Sequence, residues 1–458
     1  MNHPRSRASI HDSRYILALL FAINFLNFFD RQILATVIEP LRREWLLSDT
    51  RLGWLVTAFT LLYAVVGLPL GKLADVTRRS LLLSCGLAIW SGLTFVSGLC
   101  RNFWELFVAR LGVGIGEAAC APAASSLIGD LYPARERSRA MSLFMLGLPF
   151  GVALSYLIGG VVAEHYGWRT VFYVAGIPGL LLAWGARYME EPARGRAEIS
   201  IVGGARRTGS AVRLVLGIPT MRWIILSGLL HNFIMYALTF FLPSFLVRHH
   251  QASVQSAGLI SAVAIGAVGS CGMLAGGWMG DYAVGQRPNG RLTMAGIAVL
   301  LAAPAALGAL LLPAGELTSF LILQGLAAFL MYAYYPAVYA TIHDVVEPAL
   351  RGRAMAIYFF AMYLLGASMG PVATGWLSDF FARRAALFAG IAVAASSSIP
   401  EQFRAQGLQQ AMFVIPALSL VLAAVLFMGA ARASDDVSRL EAWMKKITSD
   451  DAGIRRAR

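Results

Sequence analysis

The sequence predicts an all-α membrane protein with twelve transmembrane helices, arranged as two six-helix halves around a central cavity. Three observations carry this. Of 458 residues, 58% are hydrophobic and only 14% charged, against roughly 25% charged in soluble domains. The apolar residues gather in twelve runs, each long enough to cross a bilayer at about 20 residues per helix. The second six runs also repeat motifs of the first. A surface this poor in charge cannot be mostly aqueous, and the mean hydropathy of +0.65 agrees.

The runs cover 15–37, 52–74, 81–99, 103–128, 139–163 and 169–188, then 221–247, 255–279, 292–312, 317–343, 353–379 and 406–430. Backbone groups in lipid must be satisfied within their own segment, so runs of this length mean helices. β-barrel strands would be about half as long and would alternate. The domain reading is a six-helix bundle over 1–188, a basic Gly- and Ala-rich linker over 189–220, a second bundle over 221–430 and a tail over 431–458. The polar, basic segment before the first run has no short signal-peptide core behind it, so cleavage is not expected.

Lys and Arg set the orientation. With the N-terminus inside, 27 of the 38 basic residues fall in inside segments and 9 in outside ones. Both termini are therefore expected in the cytoplasm, with the chain in the cell membrane. The net charge of +13 becomes a topology signal, in part a lipid-facing one, and calls for no nucleic acid. Cys85, Cys100, Cys120 and Cys271 lie in or beside apolar runs without metal-like spacing and read as small buried hydrophobes.

Two motifs recur. Gly71-Lys72-Leu73-Ala74-Asp75, followed by Arg78-Arg79, returns 206 residues later as Gly277-Trp278-Met279-Gly280-Asp281, followed by Arg287. Asp130 with Arg139-Ala140-Met141 returns 214 residues later as Asp344 with Arg353-Ala354-Met355. Two such halves around a midplane site are the arrangement of a large class of secondary transporters.

Four charges interrupt the apolar runs: Asp30, Arg31, Arg110 and Glu117. Each costs about 2.5–3.5 kcal/mol at a helix centre on insertion scales, so each is a functional candidate. Asp30 and Arg110 lie about seven residues, or about 10 Å, from the outer ends of helices 1 and 4 and are expected to pair. Arg110 and Glu117 are two turns apart on one face. Asp30 and Glu117 are protonatable, and Arg110 is a permanent cation suited to an anionic group. The bland alternative is a static packing pair. Arg31 points about 100° away from Asp30 and is expected to snorkel outward, with a lesser claim on substrate. The second half holds Gln324 and Met331 at the places of Arg110 and Glu117, with His231, Asn232, Tyr236, Tyr332, Tyr334, Tyr335 and Tyr339. It offers an aromatic, uncharged wall. Taken singly, each tyrosine is better explained as core filler, and His231 as a hydrogen-bonded structural residue. Gly71, Asp75, Arg78, Arg79 and Asp281 lie at the inner helix ends and read as gating residues, an Asp–Arg latch able to hold the halves in one state.

The chain resembles the major facilitator superfamily, through the Gly71–Arg79 signature, its copy at 277–291 and the glycine-rich helix of Gly147, Gly151, Gly159 and Gly160. Within that family, Asn27–Ala35, Glu39-Pro40, Ser48-Asp49-Thr50 and the stretch from Arg110 to Glu117-Ala118 with Pro122 resemble the spinster branch. That resemblance implies alternating access, proton coupling and an amphiphilic lipid substrate such as a lysophospholipid. Part of the pattern is shared with organic-anion and hexuronate symporters, which is the alternative, with drug export as a third. No cofactor is implied beyond a proton gradient. The partners implied are the bilayer, protons and a small substrate, with the chain a monomer.

An ATP-driven pump does not fit, because Gly71-Lys72 lacks the glycine spacing, the Ser/Thr and the strand of a phosphate loop. Enzyme chemistry has no metal cluster or nucleophile elbow to work with. A receptor or scaffold is disfavoured by glycine-lined helices 5 and 11 (Gly147, Gly151, Gly366, Gly370). The tail at 435–447 spaces Val437, Leu440, Trp443, Met444 and Ile447 like an amphipathic helix beside Lys445 and Lys446, expected to lie on the inner leaflet.

Overall fold

The computed structural model describes residues 10–132, 134–191, 210–391 and 399–456. Among these, twelve helices are long and apolar enough to span a membrane. They are α1 (Ser13–Trp45), α2 (Asp49–Gly67), α3 (Arg79–Ser97), α4 (Phe103–Leu131), α5 (Arg139–Tyr166) and α6 (Trp168–Arg187) in the first half. The second half holds α7 (Pro219–His249), α8 (Val254–Gln286), α9 (Gly290–Leu311), α10 (Leu317–Val345), α11 (Arg351–Phe388) and α12 (Glu401–Met444). The α2 helix itself continues to Val76. With an even number of spans, both chain ends lie on one side, called here the terminal face, opposite the far face.

Local chemistry sets the boundaries. Ser48 caps α2 by accepting from the Arg51 N–H, Asn102 caps α4 through Glu105, and Ser253 caps α8 through Ser256, each supplying an acceptor to a donor the helix leaves open. Gly167, at φ +82°, makes the tight turn from α5 to α6. The α4 helix breaks after Glu117 and resumes at Cys120, and α10 breaks after Tyr332 and resumes at Tyr334. The repeat thus extends to the helix breaks, which fall beside the candidate site. Two stretches of wider π turn have no counterpart in α2 and α5: Ala262–Val268 in α8 and Met362–Ala367 in α11.

The halves meet along α2 with α11, α5 with α8 and α1 with α7. Contact is closest near the far face. A Cβ on Gly53 would come within 2.6 Å of the Pro371 carbonyl oxygen, and one on Gly375 within 2.3 Å of that of Asp49. Only a residue without a side chain permits this approach. At mid-depth, Gln32 donates to Tyr156 Oη (2.7 Å), which donates to the Thr239 carbonyl (2.6 Å) across the half boundary.

Three expectations need amendment. Cys100 and Cys120 are buried, but Cys85 and Cys271 are exposed; they lie on outward helix faces, where a small thiol is tolerated in lipid. Most of the basic linker, 192–209, lies outside the described residues, although 211–216 forms a short helix. The tail does not begin a new helix. It extends α12 without a break from Val414 to Arg456, tied to the start of α7 by Asp436, which accepts from the Thr220 N–H (2.9 Å) and Oγ1 (2.7 Å). The side chains of 445–447 lie outside the described residues.

Candidate functional site

The first half places Arg31 and Glu117 together. Arg31 Nε lies 2.8 Å from Glu117 Oε2, with side chains 8% and 0% exposed. Arg31 also sits over the Tyr63 ring, 4.3 Å from its centroid, beside Phe28 and Phe59. Tyr63 meets Tyr363 of α11 edge-on at 5.3 Å, and Tyr363 meets Tyr236 of α7. The guanidinium therefore stands at the boundary between the halves, held by a carboxylate on its own side and bordered by phenol rings from both.

This corrects the expected pairing. Asp30 and Arg110 are both buried, but no ion pair within 4.0 Å joins them among the described residues. Asp30 accepts from Thr94 Oγ1 of α3 (2.9 Å) and its Oδ1 lacks a partner. Arg110 donates to Ser97 Oγ (3.4 Å) and lies over Phe172. Arg31 does not snorkel. Residue counting gives depth but not the direction a helix face takes among its neighbours. The 100° between Asp30 and Arg31 turns the first toward α3 and the second toward the break in α4. The expected track of Asp30, Arg110 and Glu117 is thus two layers. Arg31–Glu117 faces the cavity, and Asp30 and Arg110 stand behind it against α3 and α6.

In the second half His231 is fully buried. Its Nε2 lies 3.0 Å from the Met331 carbonyl, at the α10 break, and its ring stacks on Tyr334 with centroids 4.0 Å apart. Tyr334 Oη reaches Ser227 Oγ (2.8 Å) and Tyr358 Oη (3.2 Å). Asn232 donates to the Gly228 carbonyl one turn back, and buried Gln324 leaves Nε2 unpartnered. Tyr332, Tyr335 and Tyr339 form a continuous ring ladder, with centroids 5.9 and 5.8 Å apart, reaching Tyr358 and Phe359. Tyr335 and Tyr339 are partly exposed. They face the cavity, whereas Tyr334 and Tyr358 are fully buried and brace them.

At the terminal face, Arg79 pairs with Asp130 and with Glu191 (2.8 Å). Glu191 is also the acceptor for the Arg79 backbone N–H. Burial pushes its carboxyl up, but the hydrogen bonds from Arg79 outweigh this and hold it below the usual carboxylate range. In the second half, Arg291 pairs with Asp281 (2.8 Å) and Asp344. The repeat is therefore Arg79–Asp130 against Arg291–Asp344, and Arg291 rather than Arg287 is the counterpart. The latch was expected between the halves. Among described residues these pairs run within each half. Arg78 is exposed before α3, and Gly71 has open space around it. The side chain of Asp75 lies outside the described residues.

The sequence profile of the Major Facilitator Superfamily matches residues 20–371. This chain belongs to that superfamily. Its relatives include an MFS-type efflux pump of Mycolicibacterium smegmatis, 27% identical over 92% of this chain and 93% of the relative. A probable L-galactonate transporter of Escherichia coli is 29% identical over 79% and 82%. Protein spinster homolog 3 of Danio rerio is 26% identical over 79% and 76%. Among solved structures, a bacterial homolog of the human lysosomal transporter spinster, inward-facing and unoccupied, superposes with a TM-score of 0.83 at 28% identity, covering 94% of this chain and 99% of that one. The chain is a spinster-like major facilitator, and the superfamily's members here are transporters, not enzymes.

One further constellation of this major facilitator chain escaped sequence reading. At the far face, Arg248 of α7, with its side chain only 1% exposed, donates to Glu39 of α1 (2.8 Å) and to both oxygens of Asp49 of α2 (2.7 Å each). Arg42 joins Glu39 (2.7 Å) to Glu401 of α12 (2.8 Å). Asp379 of α11 accepts from the Asp49 and Thr50 N–H groups and from Thr50 Oγ1, so a carboxylate of one half caps a helix of the other. Arg42 and Arg248 entered the sequence reading only as outside-loop charges, because the apolar runs stop before the helices do. The signal was available in Glu39 and Asp49, two acids in otherwise apolar surroundings opposite isolated arginines.

Proposed function

We propose that this transporter works by proton-coupled alternating access on an amphiphilic anionic or zwitterionic substrate such as a lysophospholipid. The carrying observation is the buried Arg31–Glu117 pair set against the tyrosine rings of the other half. Removing one member of a buried ion pair costs about 3–5 kcal/mol, because the other is stranded. A proton on Glu117 cancels its charge and strands Arg31, which then favours an anionic head group. A head group on Arg31 in turn favours the proton on Glu117. Substrate and proton are linked through one guanidinium. Asp30 and Arg110 form the second layer of the same chemistry. Tyr332, Tyr335 and Tyr339 offer apolar area to a tail, with His231, Asn232 and Gln324 as the polar groups of that wall.

With the terminal face taken as cytoplasmic in the cell membrane, the far-face ion cluster closes the outer side and the chain is inward-facing. Gly71, Asp75, Arg78, Arg79 and Asp281 belong to the opposite gate. A monomer is sufficient, since each half supplies one wall.

A second reading is a proton-coupled symporter of small organic anions of the hexuronate or carboxylate type, favoured by the galactonate-named relative and by a hexuronate transporter of Bacillus subtilis, 25% identical over 85% of this chain. Drug export is favoured by the efflux pump. Tryptophan quenching on titration with lysophospholipid and with glucuronate separates the first two. Saturable binding of the sugar acid alone sinks the lipid reading. In proteoliposomes, Glu117→Gln and Asp30→Asn are expected to uncouple flux from an imposed pH gradient. Wild-type coupling in both variants refutes the proton role.

A further inference from the structure

We propose that the groove between the terminal-face ends of α7 and α12 holds the phosphate of an anionic phospholipid from the leaflet on that side. A cavity of about 480 Å³ there is lined by Pro219, Arg222, Trp223, Leu226 and Arg432. Two guanidiniums border it, and no lining residue is acidic.

The two arginines are held differently. Arg222 Nε donates to the Leu216 carbonyl (2.6 Å), at the end of the 211–216 helix. This fixes the side chain and leaves both Nη groups without a protein partner among the described residues. Arg432 has no partner among them at all. Nearby acids do not neutralise the pair. Asp436 is occupied by Thr220, and Asp435 makes no ion pair within 4.0 Å with Arg432. An exposed, unpaired pair of arginines on a membrane protein is a phosphate site in waiting, because the planar guanidinium matches phosphate oxygens with two parallel donors.

The remaining walls select a lipid over a free anion. Trp223 lies against α12 because residue 429 is glycine; a Cβ there would come 3.1 Å from Trp223 Cβ. Tryptophan is favoured at the depth of lipid head groups. Below it, Leu226, Phe427 and Met428 are exposed on the same two helices, an apolar path for an acyl chain running toward the membrane centre. The site touches none of the residues assigned to transport, so it stands or falls independently of that reading.

The test uses the full chain in neutral detergent, stripped of lipid, with native mass spectrometry during titration of phosphatidylglycerol or of phosphatidylcholine with the same chains. Juxtamembrane arginines contribute about 1 kcal/mol each toward anionic lipid, so the two together predict a preference of about 10- to 30-fold for phosphatidylglycerol. Arg222→Gln with Arg432→Gln should bring it to the phosphatidylcholine level. Arg432→Gln alone, at a side chain that braces nothing, should lose about fivefold. The Arg383→Gln, Arg384→Gln variant at the far face should lose nothing. Equal retention of the two lipids by wild type, undiminished phosphatidylglycerol binding in the Arg432→Gln chain, or the same loss in the far-face variant overturns the proposal. So does full displacement of the lipid by millimolar inorganic phosphate, which would assign the site to a free anion.

Discussion

The two faces of the molecule use the same chemistry in opposite ways. At the far face, arginine–carboxylate pairs cross from one half to the other: Arg248 to Glu39 and Asp49, Arg42 to Glu401. At the terminal face, Arg79 and Arg291 each stay with acids of their own half. Pairs within a half hold through any rigid rotation of the halves, whereas pairs across the boundary hold in one state only. The position of an ion pair relative to that boundary decides whether it stabilises a bundle or selects a conformation.

The strongest way to break the contrast is Arg248→Ala. It strands Glu39 and Asp49 in a buried setting, a loss of about 3–5 kcal/mol charged almost wholly to the far-closed state. Spin labels at positions 43 and 402, on the far ends of α1 and α12, should then report a longer, broader distance distribution; an unchanged distribution would mean the cluster does not select the state. Asp379→Asn is milder. It keeps an acceptor for the Thr50 N–H but removes the charge facing the start of α2, worth about 1 kcal/mol, and should shift the same distribution partway. Arg291→Gln sharpens the comparison from the other side. Partly exposed pairs contribute at most about 1 kcal/mol, so thermal stability should fall slightly while the label distance stays put.

Smallest is a pH effect at Glu191. Its carboxyl is held below the ordinary value of 4.5, so its contribution is complete above that pH and is lost as pH falls through the lowered value. Melting should be flat above pH 5 and decline in stronger acid, and Glu191→Gln should remove that part of the decline.

The architecture was legible because lipid enforces it: a run of apolar residues leaves the backbone no choice but helix, and the repeat of Asp130 at Asp344 fixes how the halves correspond. The site was legible in membership and not in pairing. Asp30, Arg31, Arg110 and Glu117 stand out because charge is expensive in hydrocarbon, and all four are buried in one half. Which arginine meets which acid depends on helix rotation and on the break after Glu117, and neither is written in residue spacing. Arg248 was lost for a related reason. Hydropathy marks where apolar sequence ends, and α7 carries that arginine one turn further, still helical and still buried.

The π turns in α11 have a consequence for the reading frame of the helix. Residues 362–367 carry an extra residue relative to a regular α-helix. Ahead of that stretch the helix is registered to the rest of the half. Within and beyond it, Tyr363 reaches Tyr63 while Gly366 and Gly370 press on the α7 backbone at Leu229 and Phe233. Deleting a single residue there would restore ordinary turns and rotate everything downstream by about 100°. Gly370 and Gly375 would leave their seats, and side chains would arrive where only hydrogen fits. Single-residue deletions are thus expected to be far worse tolerated in this stretch than point substitutions, although no charge and no polar contact of the site is altered.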